Sequence, residues 1–338
     1  MLPSMYSGIS GLKANQKKLD VIGNNIANSS TTAYKSQRIR FQDMVSQNIS
    51  QALGPGTNNG GVNGRQIGLG VQIAGIDTNT ATGNMQPTSR NLDAAIDGPG
   101  YFMVAKGPSV FEEGIELEEG NTLPDDTKGL SLFYTRDGSF TLDSDGNLLT
   151  SDGYRVLGYG FGAIAPAEDD AESAVTKGAV TFVDANAALP EAGPLQTLVI
   201  PDTITTDDGV RRIQSFSIEK DGMVKAVLDN GKVSVLGQIA MASFKNDAGL
   251  TKLGKNLYQN SANSGEAVVR SSSDIKPEDE GYNAKGYGDM LQGMLEMSNV
   301  DLAEQFTDMI VASRAFQANG KIITTGDEIL QDLVNLKR

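Results

Sequence analysis

The chain has no cysteine, no histidine and no tryptophan among its 338 residues. Without cysteine there is no disulfide and no thiolate site. With histidine gone as well, the usual zinc ligands and the commonest general base are missing, and only Ser, Thr and Lys remain as common nucleophiles. Positive charge is scarce: 28 lysines and arginines face 42 aspartates and glutamates, a formal net charge of −14. That sign argues against nucleic acid and against anionic membrane surfaces as partners. Long apolar runs are absent too, with no stretch of about 18 such residues to span a bilayer. No compact apolar block follows Lys13, the first basic side chain, so no cleaved secretory signal is expected. The protein is either cytosolic or exported by a route that needs no such signal.

What is present begins with a column. Leu295, Leu302, Met309, Phe316, Ile323 and Leu330 recur every seventh residue, the mark of a helix keeping one seam against a partner. Ser298 is the expected cap, Asp301 falls in the first turn, and Lys337 and Arg338 close the far end. The companion column is poorer: Phe306, Ser313, Gly320, Asp327 and Val334. From Gly320 onward Ile322, Ile329, Leu333 and Leu336 widen the apolar surface beyond what one helix covers. Met5, Leu12, Leu19 and Ile26 repeat the same period at the other end, beside Leu2 and Ile9. The first helix, some 28 residues and about 42 Å, is shorter than its partner at some 40 residues and about 60 Å. Charge suits the pairing: Lys13, Lys17 and Lys18 oppose an acidic partner in which seven carboxylates face four bases. An uncovered broad apolar face points to association with other copies of the chain.

Between the helices the chain is nested. Asn24 to Thr32 is polar and favours turns. Residues 38–50 form a short helix or an extended arm, and 54–70 a loop dense in Gly and Asn. From Val71 the period changes to two. Ser139-Phe140-Thr141-Leu142, Asp145-Gly146 and Val156-Leu157-Gly158 recur as Ser215-Phe216-Ser217-Ile218, Asp221-Gly222 and Val235-Leu236-Gly237. Each copy reads as a small β-meander with an Asp-Gly hairpin turn. Residues 159–212, rich in Ala, Pro and acids, read as an inserted outer domain, and the acidic tract 112–126 as a solvated loop. The expected class is α+β: terminal helices 1–28 and 295–338 in a coiled-coil-like pair, a linker or arm of 29–70 with 283–294, and a β domain of 71–158 with 213–282.

No chemistry is assigned. Asp143-Ser144-Asp145-Gly146-Asn147 lacks the third spaced ligand and the distal Glu of a calcium loop, and reads as a hairpin turn. Gly158, Gly160 and Gly162 precede no helix start, so phosphate binding is not expected. No pair of carboxylates stands out as a hydrolase pair. No catalytic residue, metal ligand or cofactor is named.

The two ends resemble the bacterial flagellar axial proteins, the rod and hook subunits. Tyr6-Ser7-Gly8-Ile9-Ser10-Gly11-Leu12 and Leu19-Asp20-Val21-Ile22-Gly23-Asn24-Asn25-Ile26-Ala27-Asn28 are similar to that family's amino-terminal signature. Thr31-Thr32-Ala33-Tyr34-Lys35 continues it. The family commonly shows Asn-Val-Asn-Thr-Thr-Gly-Phe-Lys there, so Ser29, Ser30, Ala33 and Tyr34 are departures. Leu295-Glu296-Met297-Ser298-Asn299-Val300-Asp301-Leu302, residues 308–319 and the finish from Leu330 to Arg338 resemble the hook version. Arg90 to Ile96 and Tyr134 to Phe140 match weaker motifs. The resemblance implies a hook subunit: a homo-oligomeric, hollow helical tube outside the cell, a flexible joint carrying torque from rod to filament. Its implied partners are the distal rod, hook cap and hook–filament junction proteins and the flagellar export apparatus, with no nucleic acid and no membrane insertion. The distal rod subunit is the alternative reading, and an acidic surface hydrolase or adhesin with a coiled base a more remote one. The implied packing residues are the apolar columns named above, and the motif positions are Gly23, Asn24, Asn25, Ile26, Ala27, Asn28, Ser298, Asn299, Val300 and Asp301.

Overall fold

A computed structural model describes residues 3–56, 60–107, 114–118, 120–124, 129–161, 182–185, 190, 192–206, 209–275 and 282–336. The chain divides into two compact units, one of Met1–Ser30, Lys35–Thr80 and Asn299–Arg338, the other of Thr31–Tyr34 and Ala81–Ser298. The class is mixed and mostly β, with one helix near each end.

In the first unit, helix α1 spans Pro3–Ala27, with proline in the first turn where its missing N–H costs nothing. Asn28 closes it, its amide donating to the Asn24 carbonyl at 2.8 Å. Helix α2 spans Leu302–Leu336, 35 residues. Its cap is Asp301, not Ser298: the Asp301 carboxylate accepts from the N–H of Ala303 at 2.8 Å and of Glu304 at 3.3 Å. The expected helix start is therefore displaced, and Leu295 is not helical. A period of seven can be mimicked by one apolar residue of a strand, and that is what Leu295 is. Lys337 and Arg338, expected at the far end, lie outside the described residues, as does Leu2.

The helices run antiparallel. A Cβ on Gly8 would stand 3.5 Å from Ile323, one on Gly11 2.9 Å from the Asn319 amide, and one on Gly326 3.1 Å from Met5. Lys18 meets Asp308 at 3.3 Å and Asn25 meets Gln305 at 3.0 Å. Alongside lie two ribbons. β1 (Gln37–Asp43) and β2 (Ser46–Ser50) precede β3 (Arg65–Gly68) and β4 (Val71–Thr78). β1 pairs with β4 across a bulge at Arg40/Phe41, and β2 pairs with β3. Residues 38–50 are thus extended, and the 54–70 loop contains a strand. Val71–Thr78, expected to open the β domain, belongs with the helices instead. Alternation shows that a segment is a strand without showing which strand it meets.

The second unit holds β5 (Met85–Pro87), β6 (Ala94–Asp97), β7 (Tyr101–Lys106), β8 (Ser131–Thr135), β9 (Phe140–Leu142), β10 (Leu148–Thr150) and β11 (Arg155–Gly160). It continues with β12 (Leu195–Thr197), β13 (Thr203–Thr206), β14 (Gly209–Ile218), β15 (Met223–Leu228), β16 (Val233–Ile239) and β17 (Met241–Ser243). β18 (Thr251–Gly254), β19 (Leu257–Gln259), β20 (Val268–Val269), β21 (Asp289–Gln292) and β22 (Met294–Glu296) complete it. The main sheet follows the path β13-β14-β15-β16-β11-β7-β8-β19-β18, while β21 pairs with β6 and β22 with β5. Both faces of β7 are buried: Phe102 and Val104 enter one apolar cluster, Tyr101 and Met103 the other.

Both copies of the repeat form the expected hairpins, β9/β10 and β14/β15, with Gly146 at φ +79° and Gly222 at φ +80°. In the first, the Asp143 carboxylate accepts from the backbone N–H of Asp145 and Asn147 and from the Asn147 amide. Burial alone would raise the Asp143 pKa; these donors outweigh it and lower it. The third strands of the two copies, β11 and β16, pair with each other, Tyr159 opposite Gln238.

Two expectations change here. Within 159–212, β12 pairs with β11, and Leu195, Leu198, Ile200 and Ile204 are buried in the main core. Where described, the supposed insertion adds β12, β13 and the start of β14 to the sheet and belongs to the second unit, not to a separate outer domain; residues 162–181, 186–189, 191, 207 and 208 lie outside the described residues. In the acidic tract, Ile115 is buried and bridges to Leu195 while Glu116 and Glu118 face solvent. Alternating acids had masked an inward-facing residue.

Candidate assembly surface

The seam between α1 and α2 is made of small and polar residues. On α1, Gly8, Gly11, Ala14, Ile22 and Asn25 are buried; on α2, Ala312 and Gly326 are, with Asn319 beside them. These residues were not among the sequence candidates, Asn25 apart. Gly8, Gly11 and Ala14 recurring at steps of three on α1 was the available signal, and the larger apolar residues outshouted it.

The expected apolar columns flank that seam or point away from it. Met5, Leu12, Leu19 and Ile26 are half-buried, as are Met309 and Ile323. Ile9, Leu302, Phe306, Phe316, Ile322, Ile329 and Leu330 are exposed, and Val334 and Leu336 reach 68% and 82%. Ile310 and Val311, which sequence reasoning passed over, are 63% and 57% exposed. The side chain of Leu333 is outside what the structure describes. Small residues draw the helix axes together, and the wider side chains are left at the flanks.

The motif residues make polar ties within the same unit. Asn25 is 1% exposed. Its Nδ2 donates to the Gln37 carbonyl at 2.8 Å and to Gln305 Oε1 at 3.0 Å, and its Oδ1 accepts from the Gln37 N–H at 3.0 Å. The Asn299 Oδ1 accepts from the Ser36 N–H at 2.8 Å, and its Nδ2 donates to the Asn79 carbonyl at 2.9 Å. Ser10 Oγ, near the middle of α1, accepts from the Val71 N–H at 3.2 Å. Gly70 rests so close to Ser10 that any Cβ there would overlap the hydroxyl. Gly23 has open space around it.

The departures Ala33 and Tyr34 fall in the second unit. Ala33 is buried at φ +55°, where the family commonly carries glycine, and its N–H donates to the Glu296 carbonyl at 2.8 Å. The Tyr34 ring lies 4.0 Å beneath the Lys252 ammonium. Burial pushes the Lys252 pKa down and that of the Tyr34 hydroxyl up.

Three family models match the chain: "Flagella basal body rod protein" over residues 5–35, "Flagellar hook protein FlgE/F/G D1 domain" over 95–226, and "Flagellar basal body rod FlgEFG protein C-terminal" over 291–336. The flagellar basal-body rod protein FlgG of Bacillus subtilis is 44% identical over 338 residues, covering all of both chains. The chain belongs to the flagellar rod and hook protein family. The flagellar hook protein FlgE of Borreliella burgdorferi is 30% identical over 473 aligned positions, and FlgG of the same organism 32% over 340, each covering all of both chains. A solved Helicobacter pylori flagellar hook protein FlgE2 aligns with 63% of this chain and 100% of its own at 11% identity and a TM-score of 0.37, too distant to position any residue. As a family member the chain is a hook or distal rod subunit, part of the flagellum, assembling with other axial components. No described helix is long and apolar enough to cross a membrane.

Proposed function

We propose that this subunit polymerises with copies of itself, the outward columns of α1 and α2 packing against neighbouring copies in a helical tube. One observation carries the reading: the helix pair is filled by Gly8, Gly11, Ala312 and Asn319, while Phe306, Ile310, Val334 and Leu336 stand in solvent. A pair complete in itself would turn its wide apolar side chains inward. Broad exposed apolar faces belong to association surfaces. The pair is coiled-coil-like in this reading, since Gly8, Gly11, Asn15, Lys18, Ile22 and Asn25 step by three and four. Its role is mechanical, with no reaction and no cofactor. Further axial proteins cap or adjoin the tube at its ends.

Of the two positions, the rod is favoured. Identity to a rod protein is 44% with matched lengths, whereas the 30% hook alignment runs to 473 positions and opens long gaps. Within the 159–212 segment, β12 and β13 join the main sheet. The hook is the second reading, supported by the 30% identity to the Borreliella burgdorferi hook protein over all of both chains. Immunogold labelling of isolated hook–basal bodies decides: gold on the rod is expected, and gold along the hook supports the second reading. Gold on neither, with purified protein forming no tubes, contradicts both.

A further inference from the structure

The apolar columns carry no information about register. Met5, Leu12, Leu19 and Ile26 repeat every seven residues, and so does their counterpart on α2. Sliding one helix by seven residues, about 10.5 Å at 1.5 Å per residue, returns like side chains to like positions. Alignment must come from residues that do not repeat.

The observed seam sets Asn25 against Gln305, Lys18 against Asp308, Gly11 against Asn319 and Met5 against Gly326. Moved seven residues toward the end of α2, Asn25 faces Ala312, Lys18 faces Ala315, Gly11 faces Gly326 and Met5 faces Leu333. Opposite Asn25, Lys18 and Gly11 that competing seam is small and apolar, while Met5 exchanges Gly326 for the larger Leu333. Its defect is polar: the buried Asn25 amide keeps the Gln37 backbone but exchanges Gln305 for Ala312, and Lys18 exchanges the Asp308 carboxylate for Ala315. A polar contact between helices that only one alignment can make is the attested means by which helix pairs fix register.

We infer that Asn25, assisted by Lys18, is the register key of the helix pair. It is a positioning residue. In the observed alignment α1 begins near residue 328 of α2 and leaves the last turns, with Ile329, Leu330, Val334 and Leu336, extending past it. Moved by seven, α1 lies along that overhang and occupies the surface the proposed neighbours need. This consequence rests on the polymer reading; the alignment itself does not.

The cysteine-free chain gives a clean test. Two full-length reporters carry Gly8→Cys, one with Ile323→Cys for the observed alignment and one with Leu330→Cys for the alternative. Each is treated with a short bis-thiol crosslinker in dilute solution, with and without the paired change Asn25→Leu/Gln305→Leu. In the parent only the 8/323 reporter should close. With the paired change the 8/330 reporter should close at least tenfold more than in the parent, and tube assembly should fail. An 8/330 yield unchanged from the parent overturns the inference. If helicity persists, register is set elsewhere; if it is lost, Asn25 only holds the pair together. A shifted register with normal tubes upholds the key and counts against the overhang as an assembly surface.

Discussion

Arg136 and Glu296, 160 residues apart in sequence, form a buried ion pair at 3.4 Å with side chains 3% and 0% exposed. The guanidinium also donates to the carbonyls of Ile96 at 3.3 Å and Gly98 at 2.8 Å and lies 5.2 Å from the centroid of the Tyr101 ring. Glu296 accepts from the Gly83 N–H at 2.9 Å. Two motif stretches noted in the sequence, Tyr134 to Phe140 and Leu295 to Leu302, are thus tied together inside the β unit. Removing one partner strands the other charge, at a cost of about 3–5 kcal/mol. Arg136→Ala and Glu296→Ala should each lower the denaturant midpoint accordingly. The double change to apolar residues should cost less than the sum; additive losses would show that the two do not act as a pair.

Ala33 occupies left-handed backbone at φ +55°. That conformation costs an L-residue roughly 1–2 kcal/mol, and a β-branched side chain more. Ala33→Gly relieves the backbone but gives up a buried methyl and gains unfolded-state entropy, so it should leave stability within about 1 kcal/mol. Ala33→Val should destabilise by more than about 2 kcal/mol. Equal effects of the two changes in thermal unfolding would contradict the assigned conformation.

Four tyrosines give the β unit an alkaline limit. Burial raises the pKa of Tyr101, Tyr134 and Tyr159, and pushes Tyr258 up to about 12. In the unfolded chain these hydroxyls ionise near 10. A raised folded value means stability is fully present below about pH 10 and lost as pH climbs toward 12. Tyrosinate absorbance should appear together with loss of β-sheet circular dichroism. Titration of all nine tyrosines near 10 with the fold intact would refute it.

Glycines in the helices divide by what surrounds them. Gly11 would press a Cβ to 2.9 Å from Asn319, while Gly23 and Gly320 have nothing within 4 Å. Gly11→Leu should cost about 1–3 kcal/mol by overpacking. Gly23→Ala and Gly320→Ala should each gain up to about 1 kcal/mol of helix stability. Helicity and Tm of the purified chain check both signs.

Legibility followed repetition. The terminal helices and the two Asp-Gly hairpins were readable because a period or turn pair marks them locally. Partner choice was not. Val71–Thr78 looked like any other strand, and only pairing with β1 puts it with the helices. The helix seam was misjudged for a related reason: apolar periodicity reports where large side chains lie, whereas close approach is governed by Gly8, Gly11, Ala312 and Gly326. Leu295 fitted the column by spacing alone. The polar ties of Asn25 and Asn299 were visible only as family motif positions, without their partners Gln305, Gln37 and Ser36.

The outward columns carry the central claim, and they can be tested without disturbing the seam. Ile310→Glu and Val334→Glu place charge at exposed positions on α2, so the free subunit should keep its helicity and Tm. Negative-stain electron microscopy of purified protein under polymerising conditions should show tubes from the parent chain and none from the doubly charged variant. Tubes of normal length and diameter from that variant would contradict the account.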